Sequence, residues 1–128
     1  MGKSDVLTYI TYLLYYMRFL VLMYYPAGTA GPVRDYFDSL SRDRPEAFLR
    51  LAQDLEVLGA EGLASKRIRM RSLGGGLWEL KRRYGGVHYR IFLCAAEGRA
   101  WLLHAIEKKS AKTPVDDLQL AKRRMRSL

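Results

Sequence analysis

Cysteine and histidine are scarce in this chain. Its 128 residues include one cysteine, Cys94, and two histidines. No internal disulfide can form, and there is no Cys/His cluster for a structural zinc or a Cys–His nucleophile pair. No metal or other cofactor is expected. Cys94 follows the apolar run Ile91-Phe92-Leu93, where an unpaired cysteine behaves as a small buried hydrophobe; a reduced thiol there points to a cytoplasmic location. Gly74-Gly75-Gly76 has no Gly-Lys-Ser/Thr continuation and no helix pattern after it, which argues against a nucleotide-binding loop. Acidic residues are also few in the second half. Residues 66–128 hold 5 Asp+Glu against 16 Lys+Arg, a net of +11, while residues 1–65 hold 8 against 6, a net of −2, within a total of +9.

What is present fits one compact domain. The length suits a single core, and the 49% apolar content is enough to fill it. In the basic half the cations alternate with strand-like apolar residues, as in Leu77-Trp78-Glu79-Leu80-Lys81-Arg82-Arg83-Tyr84 and His88-Tyr89-Arg90-Ile91-Phe92. Alternation sends successive side chains to opposite sides of a sheet, so several cations can share one surface while their neighbours are buried. A polyanion is the natural partner, with RNA or DNA first.

The amino terminus has the longest apolar run, from Val6 to Tyr25. Its length suggests a membrane span, but Arg18 near the middle and the many tyrosines oppose it. Gly28-Thr29-Ala30 resembles a small-residue cleavage site, yet the bulky stretch before it is a poor signal-peptide core. No stable membrane association is expected. Residues 19–25 are read as a first buried strand. Residues 1–18 are an apolar extension, either an extra helix or a mis-assigned start with translation beginning at Met17, and residues 19–128 form the domain proper.

Gly28, Gly31 and Pro32 mark a loop. Val33, Tyr36, Phe37 and Leu40 then have the spacing of one helix face. A second helix starts at Pro45, buries Phe48, Leu51, Ala52, Leu55 and Leu58, and stops at Gly59. Beyond Gly62, Ile68 and Met70 alternate with Arg67, Arg69 and Arg71. Strands follow near 77–84, 87–95 and 99–107, with a tight hairpin at Gly85-Gly86. A C-terminal helix is capped by Thr113, with Asp116 and Asp117 at its start and Lys122, Arg123, Arg124 and Arg126 at its end. Its apolar face is Leu118, Ala121, Met125 and Leu128. The predicted fold class is α+β: a helical hairpin on a twisted, mainly antiparallel sheet of about four to five strands, with a C-terminal helix.

Gly76-Leu77-Trp78-Glu79-Leu80-Lys81, Tyr89-Arg90-Ile91-Phe92, and Leu103-His104-Ala105-Ile106 with Glu107-Lys108-Lys109-Ser110-Ala111-Lys112-Thr113-Pro114 together resemble the RelE/ParE superfamily of bacterial toxins, most closely the phage-derived HigB-type toxins. The likeness runs from about Met17 or Phe19 to Leu128. It implies the RelE-like fold and a ribosome-dependent endoribonuclease that cuts messenger RNA on the ribosome. It also implies a helix-turn-helix antitoxin as partner. ParE-like relatives of similar fold poison DNA gyrase instead, and a non-catalytic RNA- or ribosome-binding module is a third alternative.

Cleaving RNA through its own 2′-hydroxyl needs a base, cations around the phosphorane, and an acid for the departing 5′ oxygen. Arg90 offers a bidentate fork for the phosphate. Lys81 is a candidate base, its protonated form disfavoured by Arg82, Arg83 and Arg90. Glu79 is the competing base, and it stands where RelE-type enzymes have a lysine. His104 is a candidate acid, although a lone histidine in an apolar strand is more commonly a core residue. Arg82, Arg83, Lys108, Lys109 and Lys112 are candidate phosphate contacts. Strand parity puts Glu79, Lys81 and Arg83 on one side, and His88 and Arg90 on one side of the next strand. Whether those sides coincide depends on register.

Overall fold

In the computed structural model, residues 6, 8–10, 19–109 and 114–128 are described. Val6 and residues 8–10 are helical; the rest of the apolar extension before Phe19, and Lys112 and Thr113, lie outside the described residues. The elements run β1 (Val21–Tyr24), α1 (Pro32–Asp43), α2 (Pro45–Glu61), β2 (Arg69–Gly74), β3 (Leu77–Tyr84), β4 (Val87–Ala96), β5 (Arg99–Lys108) and α3 (Val115–Arg126). The five strands form one sheet in the order β1-β5-β4-β3-β2. β1 lies parallel to β5 and every other pairing is antiparallel. This is the expected α+β order.

The hairpin α1–α2 packs on one face of the sheet. Val33, Phe37 and Leu40 of α1 and Ala47, Leu51, Leu55 and Leu58 of α2 meet Leu80, Tyr89, Ile91, Leu93, Ala100 and Leu102. Truncating a large member of such a core to alanine costs about 2–5 kcal/mol. The helix α3 covers part of the opposite face, where Ala121 is fully buried against Leu77, Phe92, Cys94 and Leu103. Burial pushes the Cys94 thiol above its ordinary value, and the thiol is free.

Three local expectations are corrected. The helix α2 does not stop at Gly59: it runs on to Glu61 and is closed by Gly62 at φ +84. Gly59 is buried within it, and its carbonyl accepts a hydrogen bond from the Leu20 amide at 2.9 Å, tying helix to strand. The first strand is shorter than residues 19–25 and is not buried: it spans Val21–Tyr24 at the sheet edge, with Phe19 and Val21 exposed and residues 22–24 half-buried. On α3, Leu128 lies beyond the helix and is exposed.

Candidate nucleic-acid interface

Register settles which cations share a surface. Lys81 pairs with Arg90, Arg83 with His88, and Glu79 with Phe92 across β3 and β4. Arg69 and Arg71 of β2 stand opposite Lys81 and Glu79, and Lys108 of β5 stands opposite His88. Paired positions project to the same side. One face of the sheet therefore carries Arg69, Arg71, Lys81, Arg83, His88, Arg90 and Lys108, away from the α1–α2 hairpin. Arg69, Lys81, Arg83, His88 and Arg90 border a small hollow of about 70 Å³, to which Arg82 and Tyr89, of the opposite parity, also contribute.

Within this set, exposure separates the roles. Glu79 and Arg90 are fully buried, with Arg90 Nη1 donating to Glu79 Oε2 at 2.9 Å. Lys81 is partly exposed, and its Nζ lies 3.7 Å from Glu79 Oε1. Glu79 thus faces two cations, the buried Arg90 and the partly exposed Lys81, and of the three only Lys81 presents its side chain to solvent. Neither Arg90 nor Glu79 can touch an RNA in this arrangement. Breaking a buried pair of this kind exposes the remaining partner to an uncompensated low-dielectric setting, so Arg90→Ala is not a neutral deletion of a surface group.

His104 sits on the same face as Arg90 because of a bulge. The β4–β5 register shifts between Phe92 and Leu93, from Phe92↔His104 to Leu93↔Leu102, and Leu103 is the extra residue. Without it, His104 would alternate in phase with Leu102 into the main core. His104 stacks beside Phe92, ring centroids 6.0 Å apart, and its Nε2 is 2.8 Å from Asp117 Oδ1 on α3. It stands two strands from Glu79 with Phe92 between them, about 10 Å at the usual strand spacing. The structure therefore groups Lys81, Arg90 and Glu79 and leaves His104 apart, joined to the helix.

The remaining candidates divide. Arg82 projects to the hairpin side, where its Nε and Nη2 donate to Asp54 Oδ2 and Oδ1 at 2.8 and 2.5 Å; Asp54 is buried, and the bond to it raises Arg82 above its ordinary value. Arg82 therefore does not share the face of Lys81. Arg83 is exposed, Lys108 half-buried, and Lys109 exposed just past β5. Trp78 packs against the main core and Trp101 against the smaller cluster. On the hairpin side Arg44 and Tyr36 both donate to Glu107, and Arg44 also donates to the Tyr89 hydroxyl. Desolvation, then the bond to Glu107, holds Tyr36 well above the usual phenol range.

His88, Arg69 and Asp117 were not singled out as site residues from sequence. Parity alone already put His88 beside Arg90; its pairing with Arg83 and Lys108 needed the register. By sequence Asp117 has only a helix-dipole role.

No metal-ligand cluster occurs among the described residues, and none of their helices is long and apolar enough to cross a membrane. No curated protein and no solved structure matches the chain. Residues 35–126 match the family model of phage derived protein Gp49-like. That match runs from within the first turn of α1 to the end of α3 and covers well over half of the chain, including every site residue described above. The chain belongs to this phage-derived Gp49-like family, whose members are toxins of the toxin–antitoxin type related to RelE and HigB.

Proposed function

We propose that this chain is the toxin of a toxin–antitoxin pair, of HigB type, and acts as a ribosome-dependent endoribonuclease on messenger RNA. The observation that carries this is the common face of Lys81, Arg83, His88 and Lys108 over the buried Glu79–Arg90 pair. A cationic hollow with one accessible amine and one imidazole suits attack of a 2′-hydroxyl on the adjacent phosphate. Lys81 and His88 occupy diagonal positions of an antiparallel pair, about 7–8 Å apart between backbones, a span that can flank one phosphate.

In this mechanism the 2′-oxygen gives its proton to one of the pair as it bonds to phosphorus. The other member protonates the 5′-oxygen as its P–O bond breaks, leaving a cyclic phosphate and a 5′-hydroxyl. Arg83 and Lys108 hold flanking phosphates, and Arg90 acts through Glu79 to position Lys81. The cognate partner that silences the toxin is an antitoxin of helix-turn-helix type, and the place of action is the cytoplasm.

The test is message cleavage on programmed ribosomes. Wild type cuts, Lys81→Ala does not, and His88→Ala loses more activity than His104→Ala. Purified protein alone cuts free RNA poorly. A second possibility, a non-catalytic ribosome- or RNA-binding module, draws on the burial of Glu79 and Arg90, which keeps both charges from substrate. Ribosome binding without any cleavage supports that alternative, and intact messages with accumulating broken DNA support gyrase poisoning.

A further inference from the structure

The cationic hollow on the sheet face does not end at Lys81. A second hollow of about 200 Å³ shares Arg69, Lys81, Arg82 and Arg83 with it and continues to Arg67, Ile68 and Asp54. The two make one trench that leaves the candidate reaction centre, rounds the start of β2 and reaches the side of α2. The edge is open there because β2 begins at Arg69, opposite Lys81, so Arg82 and Arg83 have no β2 residue paired outside them.

Three features distinguish this trench from a solvated basic rim. Asp54 is buried and gives both carboxylate oxygens to Arg82, which fixes the plane of a guanidinium in the trench wall. Arg69 and Arg83 are exposed and have no acidic partner among the described residues. Arg67 is held by Glu61 at 2.9 Å and remains largely exposed. The trench thus combines one oriented guanidinium with cations whose mutual repulsion an incoming anion would relieve.

We propose that the edge trench lined by Arg67, Arg69, Arg82 and Arg83 is a second phosphate site, which grips the RNA backbone beyond the phosphate held on the sheet face. It rests on the ribonuclease function proposed above and adds the path the RNA takes away from the centre. The ligand is a phosphodiester, contributed by the message or by ribosomal RNA. Asp54 is a positioning residue for this site, because it acts only through Arg82.

The experiment measures fluorescence anisotropy of a labelled single-stranded RNA of about a dozen nucleotides with the full chain over a range of salt. A parallel arm pellets the protein with message-free ribosomes. Arg69→Gln/Arg83→Gln is expected to weaken binding on the order of tenfold and to reduce the salt slope by about 1.4, two contacts at about 0.7 each. Arg82→Lys keeps the charge but loses the fork held by Asp54, and is also expected to weaken binding. A loss confined to the oligonucleotide arm assigns the site to the message, and one confined to the ribosome arm assigns it to ribosomal RNA. Wild-type binding and slope by the double variant in both arms overturn the proposal. So does wild-type binding by Arg82→Lys, because charge alone then accounts for the rest. If Arg82→Lys does not fold, the double variant decides, both its side chains being exposed. Failure of wild type to cut programmed messages while these binding losses persist refutes the ribonuclease and leaves the site standing.

Discussion

Replacing Arg90 by alanine should destabilise this protein strongly, so that a loss of activity would not report on chemistry alone. Arg90 and Glu79 have 1% and 0% of their side chains exposed and are bonded at 2.9 Å. Removing one member of such a pair costs about 3–5 kcal/mol. Lys81, 3.7 Å from the same carboxylate, still offsets part of the stranded charge and favours the lower figure. Against a total stability of about 5–15 kcal/mol for a domain, a loss of about 3 kcal/mol is a large share. With urea slopes of about 1–3 kcal/mol per molar, the midpoint should fall by about 1–3 M, and Tm by roughly 10–15 °C. The half-buried Trp78 and Trp101 provide the fluorescence signal. Glu79→Leu/Arg90→Met replaces both charges with apolar groups and should recover most of the loss, since such replacements are neutral or stabilising. That double variant, stable and without either charge, tests whether the Glu79–Arg90 pair as a unit is needed for cleavage. A midpoint change below about 0.5 M in Arg90→Ala, well under what a buried pair implies, refutes the structural role and returns Arg90 to the phosphate.

Alkali should weaken the fold. Burial is the first cause that raises Tyr24, Tyr36 and Tyr89 above the ordinary 10.0 and Cys94 above 9.0. The unfolded chain then releases these protons first, so the stability they contribute is complete below about pH 9 and falls as pH rises through and beyond 10; urea midpoints that stay level over that range would contradict it. Gly62→Ala places a side chain at φ +84 beside the Phe19 ring. The exposed ring can swing aside, but φ +84 with ψ −174 is backbone that essentially only glycine adopts and still costs about 1–3 kcal/mol, and an unchanged melting temperature would be the contrary result. Ala121→Leu should force α3 off the sheet, because Ala121 has no exposed surface and overpacking costs about 1–3 kcal/mol. Faster trypsin cleavage at Lys122–Arg126 is the expected sign, and wild-type resistance would oppose it.

The sequence by itself determined the elements and the charge. The apolar period of 33–40, Pro45 at a helix start, the glycine turns and the alternation in 77–95 are local signals, and local steric and solvation preferences are enough to read them. Alternation also put Lys81 with Glu79, and Arg90 with His88. Only the tertiary structure decided that these two sides are one face, because register is a relation between strands that neither strand encodes alone. It also decided burial: Arg90 and Glu79, which look like exposed chemistry in a basic sequence, are sealed beneath Lys81, while Arg82, the residue after Lys81, turns to Asp54 on the helical hairpin. The bulge at Leu103 had the same effect on His104, since one extra residue reverses the face of everything beyond it. His104, a candidate acid by sequence with a core role as the alternative, is thereby a partner of Asp117, and the imidazole beside Lys81 in the hollow is that of His88.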